Sequence, residues 1–472
     1  MRCLTGKIKR IGAVFLTVIL VSSPVYGISV SEEKKLAKEF VASIEKTGAV
    51  IKDPLANAFI EDLGRCIVAN VPPQPFEFNF RIVDEDRFNA FAGPGANIFI
   101  NRGLFTSLDY IDELAGILAH EVGHAVCRHV SQMIDRSKFV NFGTLAGLLA
   151  GILVGVAGGG DAAQGVIMSS AAAGQTSMLA FSRENETEAD QKGLKFACDA
   201  SFSPKGLLTG LKKIRDNDFF GTDAIPGYLK THPGTKDRIV FIQRWMEDHY
   251  REKKEKPLID PFRFEVIKYR LTGLYGNRDE AERSLAAQLK KEPDNGAIHY
   301  GMALVLIRKS RFDKALFHLD RAAATRTMDP LIRFEKARIR CMSGEYKKAL
   351  TIFKDLDTVS ELAPFVSYYR GIALLETGSA GEAEKHFSRL IAGDDILFPR
   401  AYYHLAKISG EKGDQGTCHF YLGLYYNEIN EMKNCCYHLQ QSLKQLHDPE
   451  KKVRAEALLQ KCRKKFTLRK AS

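Results

Sequence analysis

Ala281, Ala315, Ala349 and Ala383 stand at intervals of 34 residues, and nothing else in this 472-residue chain limits its fold so severely. Leu285, Leu319, Phe353 and Phe387 each follow an alanine by four residues. Gly276, Ser310, Gly344 and Gly378 precede them by five, and Pro293, Pro330, Pro364 and Pro399 fall near the ends of successive units. A small and a large apolar residue one turn apart share a helix face, and the column of mostly glycine supplies the turn before it. Each unit is predicted to be a helix-turn-helix whose apolar face is covered only by its neighbours, which makes this part an all-α solenoid. After Ala383 the register slips by one, with Gly413 35 residues after Gly378 and Cys418 in the alanine place. Cys435, Leu439 and Ser442 fit a further helix, and Lys451 to Phe466 reads as a capping helix.

A period of 34 with these columns is the tetratricopeptide pattern. It begins after Arg251-Glu252-Lys253-Lys254-Glu255-Lys256-Pro257, a charged linker ending in proline. The chain is too long for one core, and three parts are expected: residues 1–27, 28–257 and 258–472. The first reads as a secretory signal peptide, with Arg2, Lys7, Lys9 and Arg10 before the apolar run Ile11 to Val21. Val25 and Gly27 occupy the −3 and −1 cleavage positions. The chain is therefore expected to be exported.

Within 28–257, His120-Glu121-Val122-Gly123-His124 puts two imidazoles on one face of a probable helix, four residues apart. Two neutral nitrogen ligands, an open coordination position and a neighbouring carboxylate base are what a zinc peptidase requires. A third protein ligand must come from elsewhere. The metzincin extension is excluded, because Cys127 and Val130 stand where its glycine and third histidine belong. His129 is one residue out of that register and is expected to be a polar surface side chain. An acidic segment, Ser182 to Asp190, offers two candidate pairs at helical spacing: Glu186 with Asp190, and Glu184 with Glu188. Spacing does not choose between them. In the first pair, Glu186 would bind the metal and Asp190 would orient a ligating histidine.

His-Glu-Val-Gly-His followed by Glu186-x-x-Ala189-Asp190 resembles the M48 peptidases. So do Asn89-Ala90-Phe91-Ala92-Gly93-Pro94-Gly95, running on to Arg102-Gly103-Leu104, and Thr231-His232-Pro233. The resemblance selects Glu186 as third ligand beside His120 and His124, with one zinc ion per chain, Glu121 as general base and Asp190 behind a ligand. It implies a zincin-type (gluzincin) domain in an α+β, mostly helical chain. It also implies an edge strand at Ala96, Asn97, Ile98, Phe99 and Ile100 that takes an extended or unfolded polypeptide by main-chain hydrogen bonds. His232 would be a displaceable fourth ligand that holds the enzyme latent. Signal peptide, peptidase and array in that order are similar to periplasmic, quality-control members of the family, whose repeats would recruit substrates or outer-membrane assembly machinery.

Phe139 to Gly160 carries Gly143, Gly147, Gly151, Gly155 and Gly159 among aliphatic residues, a stripe along which a second helix can approach. A hairpin over 139–180 that serves as a lid or touches a membrane is expected in preference to a span. Without residues 1–27 the formal charge falls from +11 to +7, and acidic and basic residues are interspersed. No nucleic-acid motif accompanies it, so the charge reads as a solvated surface. The eight cysteines beyond residue 27 show no disulfide framework. The competing functional reading is a repeat scaffold whose peptidase part is inert or permanently latched.

Overall fold

The computed structural model describes residues 28–137, 181–220, 227–251, 259–325, 329–356, 360–393 and 396–471. The signal-peptide segment, the glycine-rich stretch 139–180 and linker residues 252–257 lie outside the described residues. Among the described residues no helix is long and apolar enough to cross a membrane. The fold is α+β and mostly helical.

Helix α1 (Val30–Thr47) starts at a reciprocal cap: the Ser29 hydroxyl accepts from the Glu32 N–H, and the Glu32 carboxylate accepts from the Ser29 N–H. Its apolar face, Leu36, Phe40 and Ile44, packs with Val83, Phe91 and Phe99 on one side of a small sheet. Helix α2 (Pro54–Val68) packs with Phe80, Ile82, Ile98 and Ile100 on the other. The two-residue alternation of the strands therefore divides apolar side chains between two cores.

The sheet comprises β1 (Asn79–Val83), β2 (Ala90–Gly93) and β3 (Asn97–Asn101) in the order β1-β3-β2. This corrects the expected edge at Ala96, Asn97, Ile98, Phe99 and Ile100. Strand β3 is central, parallel to β1 and antiparallel to β2, so its backbone groups are already engaged on both sides. Ala96 precedes it in the short turn Pro94–Ala96, where Gly95 takes φ +69° and Ala96 +58°. That tight reversal folds β3 back against β2 and leaves β2 as the outer strand on this side among the described residues.

Helix α3 (Arg102–Ser107) leads into α4 (Ile111–Val126), whose residues are buried without interruption from Glu113 to His124. Then follow α5 (His129–Ser137), α6 (Arg183–Asp199), α7 (Lys205–Phe220), α8 (Gly227–Thr231) and α9 (Thr235–His249).

The remainder is a stack of antiparallel helices. The pairs are α10 (Pro261–Tyr275) with α11 (Arg278–Lys291), α12 (Gly296–Arg308) with α13 (Phe312–Thr325), and α14 (Asp329–Met342) with α15 (Tyr346–Phe353). Next come α16 (Ala363–Glu376) with α17 (Ala380–Leu390), and α18 (Arg400–Glu411) with α19 (Gln415–Glu428). Helices α20 (Met432–Gln445) and α21 (Pro449–Ala471) complete it. The column alanines are at most 5% exposed, and the large residues four places on are fully buried. Ser310, Gly344, Gly378 and Gly413 take the left-handed turn conformation, whereas Gly276 does not, with φ −61°. Cys435 of α20 and Cys462 of α21 form a disulfide, a pairing 27 residues apart that no sequence spacing announced. Helix α10 also belongs to the first core: Phe264, Ile267 and Leu271 pack with residues of α2, α3 and α4.

Candidate metal centre

Helix α4 presents His120, Glu121 and His124, and α6 presents Glu186 and Asp190. The two helices come together where both lack side chains. A β-carbon on Gly193 would lie 2.8 Å from the His120 Cα, so only glycine admits this approach. Ser182 starts α6, its hydroxyl accepting from the Asn185 N–H, which fixes Glu186 in the first turn facing α4. His232, just past α8, donates its backbone N–H to the Tyr228 carbonyl at 2.8 Å.

Four of the sequence-predicted residues converge. Nε2 of His120 and Nε2 of His124 are 3.0 Å apart. Glu186 Oε2 lies 3.4 Å from the first and Oε1 3.3 Å from the second. His232 Nδ1 lies 3.1 Å from Glu186 Oε1 and 3.5 Å from His120 Nε2. Tetrahedral zinc with bonds of about 2.05 Å separates its ligand atoms by about 3.3 Å, and these spacings fit that figure. His120 Nδ1 donates to Asp190 Oδ1 at 2.8 Å, leaving the Nε2 lone pair turned toward the other donors. All four side chains are fully buried, and together they form a group of donors able to hold a metal ion.

Arg238 of α9 supplies the fixed positive charge beside this cluster. Its Nη1 lies 2.6 Å from Glu186 Oε2, while Nε and Nη2 donate to the two Asp190 oxygens at 2.8 Å each. Burial opposes ionisation of Glu186, but the neighbouring His232 and Arg238 overcome it and hold the carboxyl well below its usual range. Asp190 is likewise lowered: Arg238 and His120 outweigh its burial. Glu121 differs. Burial raises its carboxyl above the ordinary value despite the pull of His232 and His120. Neither Glu121 oxygen has a hydrogen-bond partner, and His232 Nε2 approaches Oε1 only to 3.6 Å. Glu121 is thus a buried carboxyl with both oxygens unengaged beside the donor set.

His129 is not the surface residue expected. It is 1% exposed, with Nδ1 3.0 Å from His124 Nδ1 and Nε2 3.2 Å from Glu188 Oε2. Extrapolating α4 as a straight helix misplaces it, because α4 ends at Val126 and Arg128 takes φ +53°, turning the chain beneath the site. The second acidic pair thus divides, with Glu188 serving His129. Phe181 stacks on His124 at 4.0 Å and Tyr228 on His232 at 4.3 Å, two aromatic walls that carried no sequence signal.

Residues 52–246 match peptidase family M48 and residues 275–338 match a tetratricopeptide repeat. The chain carries an M48 metallopeptidase domain followed by a C-terminal tetratricopeptide region. Among known proteins it is similar to the beta-barrel assembly-enhancing protease of Yersinia pestis, 28% identical over 294 residues, covering 61% of this chain and 59% of that protein. The protein of the same name from Escherichia coli K12 is 26% identical over 316 residues, covering 65% and 61%. The mitochondrial metalloendopeptidase OMA1 of Arabidopsis thaliana is 31% identical over 161 residues, covering 34% and 30%. The chain thus spans about three-fifths of the length of the assembly-enhancing relatives.

Proposed function

We propose that the chain is a zinc-dependent metalloendopeptidase of the periplasm that cleaves unfolded or misassembled polypeptide, with residues 28–257 as its peptidase domain and 258–472 as its recruiting array. One observation carries the reading: His120, His124 and Glu186 present donor atoms 3.0–3.4 Å apart in a fully buried cluster. These three residues hold the ion, Asp190 orients His120, and Arg238 keeps Glu186 charged. Zinc bound there supplies Lewis-acid polarisation of water and of the scissile carbonyl. Glu121 takes the proton from the attacking water and delivers it to the leaving amine. Both edges of β3 are paired, so a substrate strand would have to add to β2, Ala90–Gly93, whose buried outer edge must first be uncovered.

The relatives' name, beta-barrel assembly-enhancing protease, supports a role in outer-membrane protein quality control, with the array meeting substrates or assembly machinery. The signal-peptide pattern supports export, and segment 139–180 is the proposed membrane contact. A second reading, a scaffold with a latched peptidase, is favoured by the position of His232 beside Glu186. Zinc content and casein cleavage decide. Glu121→Gln should keep its zinc and lose about 10²–10⁴-fold in cleavage. If wild type and His232→Ala both bind zinc and neither cleaves, the scaffold reading replaces the peptidase.

A further inference from the structure

We infer that His129 and Glu188 are positioning residues for His124, forming a brace that fixes its tautomer and ring plane. The inference rests on the zinc reading above and adds to it. With Nε2 of His124 given to the ion, the ring's single hydrogen sits on Nδ1. His129 Nδ1, 3.0 Å away, must then accept it. The hydrogen of His129 is thereby confined to Nε2, which donates to Glu188 Oε2 at 3.2 Å. Glu188 ends the series against the Lys192 ammonium, 3.3 Å from its other oxygen. Each step has one assignment of hydrogens, and each points toward a lone pair on His124 Nε2.

The two α4 histidines are thus braced differently. His120 reaches the buried Asp190 directly. His124 reaches a half-exposed carboxylate through an intervening imidazole, with Glu188 49% exposed and His129 fully enclosed. The backbone is built to put that imidazole there. Arg128 adopts the left-handed conformation, unusual for a residue with a side chain. Its guanidinium holds the kink by donating to Glu33 Oε2 at 2.6 Å and 2.9 Å and to the Ile28 carbonyl at 2.7 Å. Cys127, His129 and Glu188 also lie close enough together to offer a second set of metal donors. The partly exposed Lys192–Glu188 pair is too weak to decide the matter, and zinc stoichiometry does.

The test measures zinc affinity of the full chain by chelator competition, with zinc stoichiometry, for wild type, His129→Leu, His129→Asn and Glu188→Ala. His129→Leu removes the acceptor and should weaken zinc binding roughly 10- to 100-fold. His129→Asn should recover most of that loss, since its Oδ1 lies near the Nδ1 position and accepts the same hydrogen. Glu188→Ala changes a half-exposed side chain, and its loss should fall at the low end of that ~10- to 100-fold range. Wild-type affinity in Glu188→Ala or in folded His129→Leu overturns the inference. So does a His129→Asn as weak as His129→Leu, which would mark plain packing. Two zinc ions per wild-type chain, with one lost in Glu188→Ala, would mark a second metal site instead. A wild-type chain that binds no zinc overturns the zinc reading itself.

Discussion

Gly123 lies so close to α6 that a β-carbon at this position would come within 2.7 Å of the Ala189 carbonyl oxygen. The fourth residue of the metal-binding pentapeptide is therefore set by helix packing rather than by chemistry. It lets α6 approach until Glu186 and Asp190 reach the α4 histidines.

Gly123→Ala should push α6 outward and weaken both fold and site. Overpacking of this kind costs about 1–3 kcal/mol, and the shift carries Glu186 away from His124. Thermal unfolding and zinc affinity, measured together, should both fall. A variant equal to wild type in both would mean that the helices have slack at this contact.

His232 lies with His120, His124 and Glu186 in one buried group of donors, and we propose that it takes the position a catalytic zinc peptidase keeps open. If it occupies that place nine-tenths of the time, His232→Ala should raise casein cleavage about tenfold, because activity scales with the open fraction. Unchanged or lower cleavage counts against the latch. A transition-state role for His232 predicts a loss, as it would for Arg238, although Arg238 is already spent on Glu186 and Asp190.

What the sequence revealed and what it hid follow from how far each signal travels along the chain. His120 with His124, and Glu186 with Asp190, are one helical turn apart, so periodicity alone puts each pair on a face. The alanine and leucine/phenylalanine columns are legible for the same reason. The order of strands is a long-range property: nothing local in Asn97–Asn101 says that β1 will pair on its far side. His129 was misread because one backbone angle, at Arg128, breaks the helix whose continuation the spacing assumed. Glycine at a repeat turn was a good guide at Gly344, Gly378 and Gly413 but not at Gly276, where the chain turns with ordinary angles.

Two array histidines give the fold an acid limit. Burial, then the neighbouring His299, pushes His318 down to about 4. Burial, then Arg400 and Lys407, pushes His404 down to about 4. Both folded values lie below the ordinary 6.5, so the neutral rings contribute their full stability above that pH and lose it as pH falls toward 4. The midpoint of thermal unfolding should fall over that interval. In the double variant His318→Phe, His404→Phe the fall should be shallower, since two of the lowered histidines are gone while His419 and His438, also held below 6.5 by burial, still titrate there. Parallel profiles for the two proteins would show that the rings are free to charge in the folded state.

A buried guanidinium helps fasten the joint between peptidase and array, beside the Arg263–Asp62 pair and the Lys268 contact to the Leu108 carbonyl. Arg270 of α10, 2% exposed, reaches Asp53 Oδ2 at 2.7 Å, donates to the Tyr300 hydroxyl at 2.6 Å and faces Glu335 at 3.6 Å. Asp53 also caps α2, accepting from the Ala56 N–H at 3.0 Å, so one carboxylate ties the start of a peptidase helix to the array. Arg270→Met leaves Asp53 and Glu335 buried without this cation, a loss of about 3–5 kcal/mol. In calorimetry the unfolding midpoint should drop and the single transition expected of wild type should begin to separate. Adding Asp53→Asn removes one stranded charge, while its side-chain oxygen can still cap α2, and should recover part of the loss. If Arg270→Met unfolds as wild type does, the two parts are held by the remaining contacts, the apolar packing of Phe264, Ile267 and Leu271 with the Arg263–Asp62 and Lys268–Leu108 links, without need of this cation.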